Sequence, residues 1–323
     1  MTKTIRTTAA LAAAVLLAAG CAAGAGSGRT GAGGHGSGGA SSGGRTRTVA
    51  AKGPADTGPA TITARQADGL ARSLLSRAPL PRGAKVRAGK PPGALGHPSG
   101  VEGGGPSVGL HQLWTVREPM SEVYSYWDGH APAGMESNGS GQSTDRGTVT
   151  QEFVAYNLKH LPAGVYTASL GMSVVPGGPD ASVIRADVQV IWYPPRTTAE
   201  YIPASLHAVT ITASELTPSS HSATTTITSP SVVSRLAAML NGAYATPQGA
   251  AFSCPLESLT YRLAFASSAG ANPYLVASAT SCEGLQITVG GHQQPTLVNP
   301  AGLQNLVTSL THISTPAGGP AKR

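Results

Sequence analysis

The segment Ser182–Tyr193 alternates between apolar and polar side chains, and this pattern strongly limits what the chain can fold into. The apolar positions are Ile184, Ala186, Val188, Val190 and Trp192, and the polar ones are Arg185, Asp187 and Gln189. Because successive side chains of a strand point to opposite faces of its sheet, the pattern predicts an antiparallel sheet with one buried and one solvated face. Pro194 and Pro195 end this strand, since proline cannot donate to a sheet ladder.

Other segments extend this pattern into a complete set of elements. Further strands are predicted over residues 110–116, 148–158, 165–175, 206–212, 223–228, 259–265, 274–280 and 285–289. Helices are predicted after the capping box at Thr63–Gln66, after Pro119, at Ser229-Pro230 and at Asn299-Pro300. The Gly- and Pro-rich segment 81–106 and the Gly- and Ser-rich segment 137–147 are predicted to be loops. The fold class that follows is α+β, with two small units that each contain a mainly antiparallel sheet and one or two helices.

The first 21 residues have the three-part pattern of an export signal. Lys3 and Arg6 precede an apolar run, which ends in Leu17-Ala18-Ala19-Gly20-Cys21. This ending resembles the lipobox of bacterial lipoproteins. The resemblance implies that residues 1–20 are a signal peptide, that cleavage precedes Cys21, and that lipid on Cys21 holds the protein on the outer face of the cytoplasmic membrane. An ordinary secretory signal, with Cys21 incidental, is the alternative.

Composition and charge divide the rest of the chain. Residues 21–60 are rich in Gly, Ser and Ala, which predicts a disordered tether. The formal net charge is +7, of which two charges lie in the signal and three in residues 22–60, so the folded part is nearly neutral. The charge therefore gives no indication of nucleic-acid binding. The predicted domains are 61–213 and 214–315, followed by a disordered tail over 316–323.

Cys254 and Cys282 remain as an even pair once Cys21 is assigned to lipid. Thiols outside the cytoplasm tend to oxidise, so a Cys254–Cys282 disulfide is predicted in the second domain. A metal site or a redox pair is the alternative, although the chain has no CxxC spacing.

Both domains contain short motifs of a recognisable kind. The first domain contributes Trp192-Tyr193-Pro194-Pro195-Arg196, followed by Glu200 and Pro203. The second contributes Leu240-Asn241, Cys254-Pro255, Tyr261, Phe265 and Cys282 before Leu285. Together these motifs resemble those of uncharacterised secreted lipoproteins of actinomycetes. The resemblance covers residues 65–312 and implies no particular activity.

No catalytic, cofactor or metal motif stands out. Gly105–Gly109 matches the G-x-S-x-G pattern around Ser107, but a loop is predicted before it and a strand after it, which is not the required strand–turn–helix setting. The nine histidines form no HxH or HxxxH pair, and Glu118 with Glu122 is best explained as a solvated helix start. The Arg196–Glu200 pair is the best candidate for holding the two units together. Trp192 and Tyr193 are expected in the core or its rim, with a ligand groove as the alternative.

These observations favour a membrane-anchored, non-catalytic protein that binds a partner or a cell-wall or envelope component. Two alternatives stay open. The first is an exported hydrolase or transferase whose site is assembled from distant residues. The second is an inhibitor-like secreted module that presents a rigid loop beside Cys254.

Overall fold

The computed structural model describes residues 58–98, 105–215, 221–250, 259–279 and 284–313. The four helices are α1 (Ala64–Leu75), α2 (Met120–Gly129), α3 (Pro230–Asn241) and α4 (Leu303–Thr311). The first six strands are β1 (Lys85–Val86), β2 (Ser107–Val116), β3 (Met135–Asp145), β4 (Thr148–Leu158), β5 (Val165–Gly178) and β6 (Ala181–Trp192). The second six are β7 (Ala208–Glu215), β8 (Ser222–Ile227), β9 (Leu259–Ala266), β10 (Leu275–Ala279), β11 (Leu285–Val289) and β12 (His292–Gln293).

The first sheet has the strand order β1-β2-β6-β5-β4-β3, and its neighbours are all antiparallel. Helices α1 and α2 cover one face, where Ala71, Leu74 and Trp127 pack against the apolar side chains of the strands. The predicted capping box at Thr63 and Gln66 is present and starts α1. The indole nitrogen of Trp127 donates to the carbonyl oxygen of Pro79 at 2.8 Å, so the chain after α1 is fixed to α2.

The second sheet has the order β12-β11-β10-β9-β7-β8 and is also antiparallel throughout. Its core contains Leu236 and Leu240 of α3, Leu303 and Val307 of α4, and the alternate residues of the strands. Two antiparallel sheets with packed helices confirm the predicted α+β class in two units.

The loop predicted over residues 137–147 is wrong, because this segment forms most of β3. β3 pairs with β4 along its length, from Met135 opposite Leu158 to Asp145 opposite Thr148. The two residues between them, Arg146 and Gly147, both have positive φ, as a type I′ hairpin turn requires. Backbone pairing therefore makes a strand from a sequence with few strand-forming side chains.

The domain boundary predicted between residues 213 and 214 falls inside β7. All of β7 belongs to the second sheet, where it pairs with β8 and β9. The division between the two sheets therefore precedes Ala208, in the segment that follows Trp192.

The solvated face predicted for β6 is also wrong, since every residue from Ser182 to Val188 is buried. The side chains of Arg185 and Asp187 are only 7% and 11% exposed and form an ion pair at 2.6 Å. The loop after β1 covers them: Leu95 packs with Leu113, Val175 and Val183 of the sheet, and its carbonyl oxygen accepts a hydrogen bond from Arg185. A loop placed 90 residues earlier in the chain thus buries a polar face.

The predicted signal peptide, Cys21, the Cys254–Cys282 disulfide and the tail over 316–323 lie outside the described residues, as does most of the predicted tether. Within the described ranges, no helix has the length and apolar character needed to cross a membrane.

Candidate functional site

The segment after β6 carries the contacts that join the two sheets, and Arg196 lies at its centre. The guanidinium of Arg196 donates to the carbonyl oxygens of Leu240 (2.8 Å), Asn241 (3.2 Å) and Ala243 (3.0 Å) at the end of α3. A cation at this end is favourable, because the last carbonyls of a helix are unpaired and carry partial negative charge. Arg196, which sequence analysis selected for holding the units together, thus binds the segment after β6 to the end of α3.

Glu200 accompanies Arg196 in this buried position. Their side chains are 4% and 2% exposed, and Arg196 Nε lies 3.7 Å from Glu200 Oε2. The ring of Tyr201 lies 4.3 Å from the guanidinium carbon, in cation–π geometry. Burial lowers the pKa of Arg196, while Tyr201 and Glu200 oppose that shift. The guanidinium is thus a structural cation enclosed by carbonyl, carboxylate and aromatic groups.

Asn241 makes a second connection between the same two segments. Its carboxamide accepts from the backbone nitrogen of Ile202 at 2.8 Å and donates to the carbonyl oxygen of Ile202 at 3.1 Å. This pairing imitates one step of a sheet ladder, so the segment 196–202 is bound to the end of α3 through both backbone and side chains.

Residues 58–62, which we call the strap, also cross this junction before α1 begins. The hydroxyl of Tyr244 donates to the carbonyl oxygen of Ala60 at 3.4 Å. Gly164 has φ +83°, and a Cβ there would lie 2.7 Å from the same oxygen. A side chain at Gly58 would overlap the hydroxyl of Tyr201. Two glycines are therefore needed for the strap to approach both sheets this closely.

Three tyrosines form an aromatic cluster at the junction. Tyr193 stacks on Tyr244 with ring centroids 4.2 Å apart, and Tyr166 meets Tyr193 edge-on at 5.6 Å. Burial, together with the two neighbouring tyrosines, raises the pKa of Tyr193. Trp192, by contrast, lies in the core of the first sheet. Tyr193 thus occupies the rim, and it links the end of β6 to the loop after α3.

A cleft of about 640 Å³ opens at this junction. Its walls come from the start of β2, the end of β6, the loop after α3 and the loop after β12. The lining residues are Gly105, Pro106, Pro194, Thr246, Pro247, Gln248, Gly249, Ala250, Pro295 and Thr296. A cleft of this volume lies within the range that accommodates small organic ligands.

Short backbone hydrogen bonds hold the cleft walls in place. On one side, Thr246 donates to Thr296 at 2.7 Å and Val298 donates to Tyr244 at 2.8 Å. On the other, Trp192 donates to the carbonyl oxygen of Pro106 at 3.2 Å. The proline rings fix φ along the walls and contribute no backbone donors. The described walls of the cleft are therefore preformed, and apolar groups make up most of their surface.

None of the described residues that line the cleft has an ionisable side chain. Its polar side chains are the carboxamide of Gln248 and the hydroxyls of Thr246 and Thr296. Thr246 Oγ1 is buried and lacks a hydrogen-bond partner among the described residues. The polar groups of the described lining are therefore uncharged hydrogen-bonding groups.

The structure does not bring the other sequence candidates together within the described residues. Ser107 is exposed at the start of β2 instead of in a strand-to-helix turn. Glu118 precedes α2, and Glu122 is exposed in its first turn. The eight histidines within the described residues are all exposed. No three His, Cys, Asp or Glu side chains of the described part come together as metal ligands.

Sequence analysis missed Tyr166, Tyr244 and the cleft itself, although it named Gly105 and Pro194 of the lining in other motifs. Tyr244 follows the end of α3 closely, and its ring has no periodic pattern to mark it. The residues Thr246-Pro247-Gln248-Gly249 follow it as a typical turn sequence, which indicates a loop but not a cleft. Only the tertiary arrangement brings this loop beside Pro106 and Pro194.

Comparisons of the chain with protein-family models, with curated proteins and with solved structures find no match. The resemblance to secreted lipoproteins of actinomycetes therefore stays a prediction.

Proposed function

We propose that this protein is a lipid-anchored extracytoplasmic lipoprotein that binds an uncharged, partly apolar ligand from the cell envelope in its proline-walled cleft, without catalysing a reaction. Cys21 carries the lipid in this proposal, and the outer face of the cytoplasmic membrane is its location.

The observation that carries the binding role is the chemistry of the cleft lining. Proline rings dominate the walls, and two threonines and Gln248 supply the few polar groups. Apolar walls with a small number of polar groups are typical of ligand pockets, where the polar groups fix the ligand's orientation. A charged ligand would lose its hydration without gaining a counter-ion, which is unfavourable.

The rigid junction supports the same proposal. Arg196 and Asn241 tie the segment after β6 to the end of α3, and two of the four cleft walls come from the chain beside these contacts. A preformed cleft loses little conformational entropy when a ligand binds. The alternative of a hydrolase or transferase receives no support from the lining, and the loop beside Cys254 that an inhibitor-like module needs lies outside the described residues.

A pair of matched fluorescent probes tests the ligand class. N-phenylnaphthylamine is neutral, whereas anilinonaphthalene sulfonate has the same ring skeleton with a negative charge. We expect the full chain to bind the neutral probe at least about tenfold more tightly than the anionic one, a difference of about 1.4 kcal/mol. Fluorescence titration measures both affinities.

Two tryptophan variants locate the binding site. Gln248→Trp places a large ring at the cleft. We expect this variant to bind the neutral probe at least about tenfold more weakly, a loss of about 1.4 kcal/mol. Gln142→Trp, at an exposed position of β3 outside the lining, is the matched control and leaves the affinity unchanged. Equal affinities for the two variants, or for the two probes, would contradict the proposed site.

Mass spectrometry of the mature protein from its own host tests the anchor. We expect an N-terminal Cys21 carrying diacylglycerol, and we expect Cys21→Ser to abolish both the modification and the membrane fractionation of the protein. An unmodified Cys21 in the native protein would refute the anchor and leave the binding proposal standing.

A further inference from the structure

The outer face of the second sheet carries a dense array of side-chain hydroxyls, which we call the hydroxyl face. Because α3 and α4 pack on the inner face, the alternate strand residues that point away from them form this surface. The hydroxyl residues are Thr210, Thr212, Ser214, Ser222, Thr224, Thr226, Thr260, Ser278 and Thr288. They span β8, β7, β9, β10 and β11, so the array crosses most of the sheet.

The hydroxyls on the two strands at one edge are already held in position. Thr210 and Thr226 lie directly opposite each other with their oxygens 3.2 Å apart, and Thr212 and Thr224 repeat this arrangement. A hydroxyl has one donor and two acceptor positions, so each pair keeps hydrogen-bonding capacity for a further partner. The array is thus preorganised and remains able to bind.

Arg262 is the single charged residue among the described positions of the hydroxyl face. It lies opposite Thr212 on one side and Ser278 on the other, near the middle of the sheet. Its side chain is exposed, and it takes part in none of the ion pairs formed between described residues. An exposed guanidinium without a counter-ion is complementary to a carboxylate or phosphate group of a ligand.

We infer that the hydroxyl face binds an acidic polysaccharide, whose sugar hydroxyls contact the Thr and Ser side chains while a carboxylate pairs with Arg262. A protein partner fits less well, because protein interfaces depend on large apolar and aromatic anchors. Within the strands of this face the largest apolar side chain is Val276, which is only half-buried. Tyr274, just before β10, is the one large aromatic side chain at the edge of the described part of this face, and it is exposed.

The size of the surface suits a polymer more than a single sugar. Six strands spaced about 4.8 Å apart make a face roughly 24 Å across. The face is separate from the cleft, since none of its residues belongs to the cleft lining. This inference therefore stands or fails independently of the proposed function.

Affinity electrophoresis of the detergent-solubilised full chain tests the inference with matched polymers. Polygalacturonate offers both hydroxyls and carboxylates, fully methyl-esterified pectin offers the same hydroxyls without charge, and polyphosphate offers charge without hydroxyls. We expect the strongest retardation with polygalacturonate and several-fold weaker effects with the other two. The retardation should also decrease with added salt, because salt screens an exposed charge pair.

Two arginine variants decide where the polymer binds. Arg262→Gln removes the charge from the hydroxyl face and is expected to weaken polygalacturonate binding at least about tenfold. Arg235→Gln removes the same charge from an exposed position of α3, the helix on the inner side of the sheet, and leaves binding unchanged. Equal losses in both variants, equal retardation by polyphosphate, or no retardation of the wild-type chain would each overturn the inference.

Discussion

The two sheets begin from the same alternation of apolar and polar residues and differ in what happens to their polar faces. In the first sheet, the polar face around Arg185 and Asp187 is buried under the loop that contains Leu95. In the second sheet, the polar face stays open, and Arg262 at its centre is exposed. Alternation therefore separates the two faces of a strand, but it does not reveal whether another segment covers the polar one.

The covered face of the first sheet and the open face of the second also differ in the charged groups that they carry. The covered face contains a complete ion pair, Arg185 with Asp187, because buried charges need a partner. The open face contains hydroxyls and one cation, which water can solvate. Two opposite charges that stand two residues apart on one strand are thus compatible with a covered face. A single charge among hydroxyl side chains is compatible with an open face.

The largest effect is expected from removing the buried cation of the first sheet. Arg185→Ala takes away the guanidinium that lies 2.6 Å from Asp187 and should lower the free energy of unfolding by about 3–5 kcal/mol. Arg262→Ala makes the same change on the open face and should cost less than about 0.5 kcal/mol. Urea denaturation measures both values, and similar costs for the two variants would remove the distinction between the faces.

The loop around Leu95, which covers the polar face of the first sheet, is expected to give the next largest effect. Leu95 is fully buried between the loop and the first sheet, so Leu95→Ala should destabilise the protein by about 2–4 kcal/mol through lost burial and a residual cavity. Val276→Ala, on the open face of the second sheet, should cost less than about 1 kcal/mol because water already reaches that position. Comparable losses would show that the open face is covered as well.

The connection between the sheets is expected to give an intermediate effect. Arg196→Ala removes three hydrogen bonds to the end of α3 and leaves Glu200 buried, at a cost of about 2–3 kcal/mol. Because the two sheets then lose a shared contact, their unfolding transitions should separate in urea when followed by tryptophan fluorescence and by circular dichroism. A single unchanged transition would show that Arg196 does not couple them.

The smallest effect concerns Glu152, which lies on the first sheet, where one carboxylate oxygen is buried without a hydrogen-bond partner among the described residues. Burial raises the pKa of Glu152 above its ordinary value of 4.5. The folded state then holds this proton more tightly than the unfolded state, so stability decreases as pH rises from about 4.5 through the folded-state pKa.

Glu152→Gln removes this titration. The variant should be more stable than the wild type at neutral pH, by less than about 0.5 kcal/mol because only part of the carboxyl group is buried, and the gain should disappear in acid. Thermal unfolding at several pH values measures the difference. A gain that is the same at every pH would assign the effect to packing instead of ionisation.

Much of the fold could be predicted because its signals are local. The capping box at Thr63, the Ser229-Pro230 start of α3 and the alternation in β6 each depend on neighbouring residues only. The missed strand β3 also had a local signal, since Gly147 follows Asp145-Arg146 at a two-residue turn. The Gly- and Ser-rich sequence of β3 favoured a loop prediction over this signal. In the structure, Phe153 of β4 covers Gly141 and stabilises the pairing.

The candidate sites depended on contacts that are distant in sequence. Arg196 was identified from a short motif, but its partners at the end of α3 lie more than 40 residues away. The cleft combines four loops, and none of them is distinctive by itself. The cover over Arg185 comes from Leu95, which four strands and helix α2 separate from β6 along the chain. The contacts of Arg196, the cleft and the cover over Arg185 all depend on tertiary packing, which no local sequence pattern predicts.

The strap over the junction also determines how the protein responds to force. Residues 58–62 contact Tyr201, Gly164 and Tyr244 before the chain enters α1. Tension applied from upstream therefore reaches the contacts of the strap with both sheets before it reaches α1. A protein held at its N-terminal side would thus bear mechanical load where its two halves are bound together most closely.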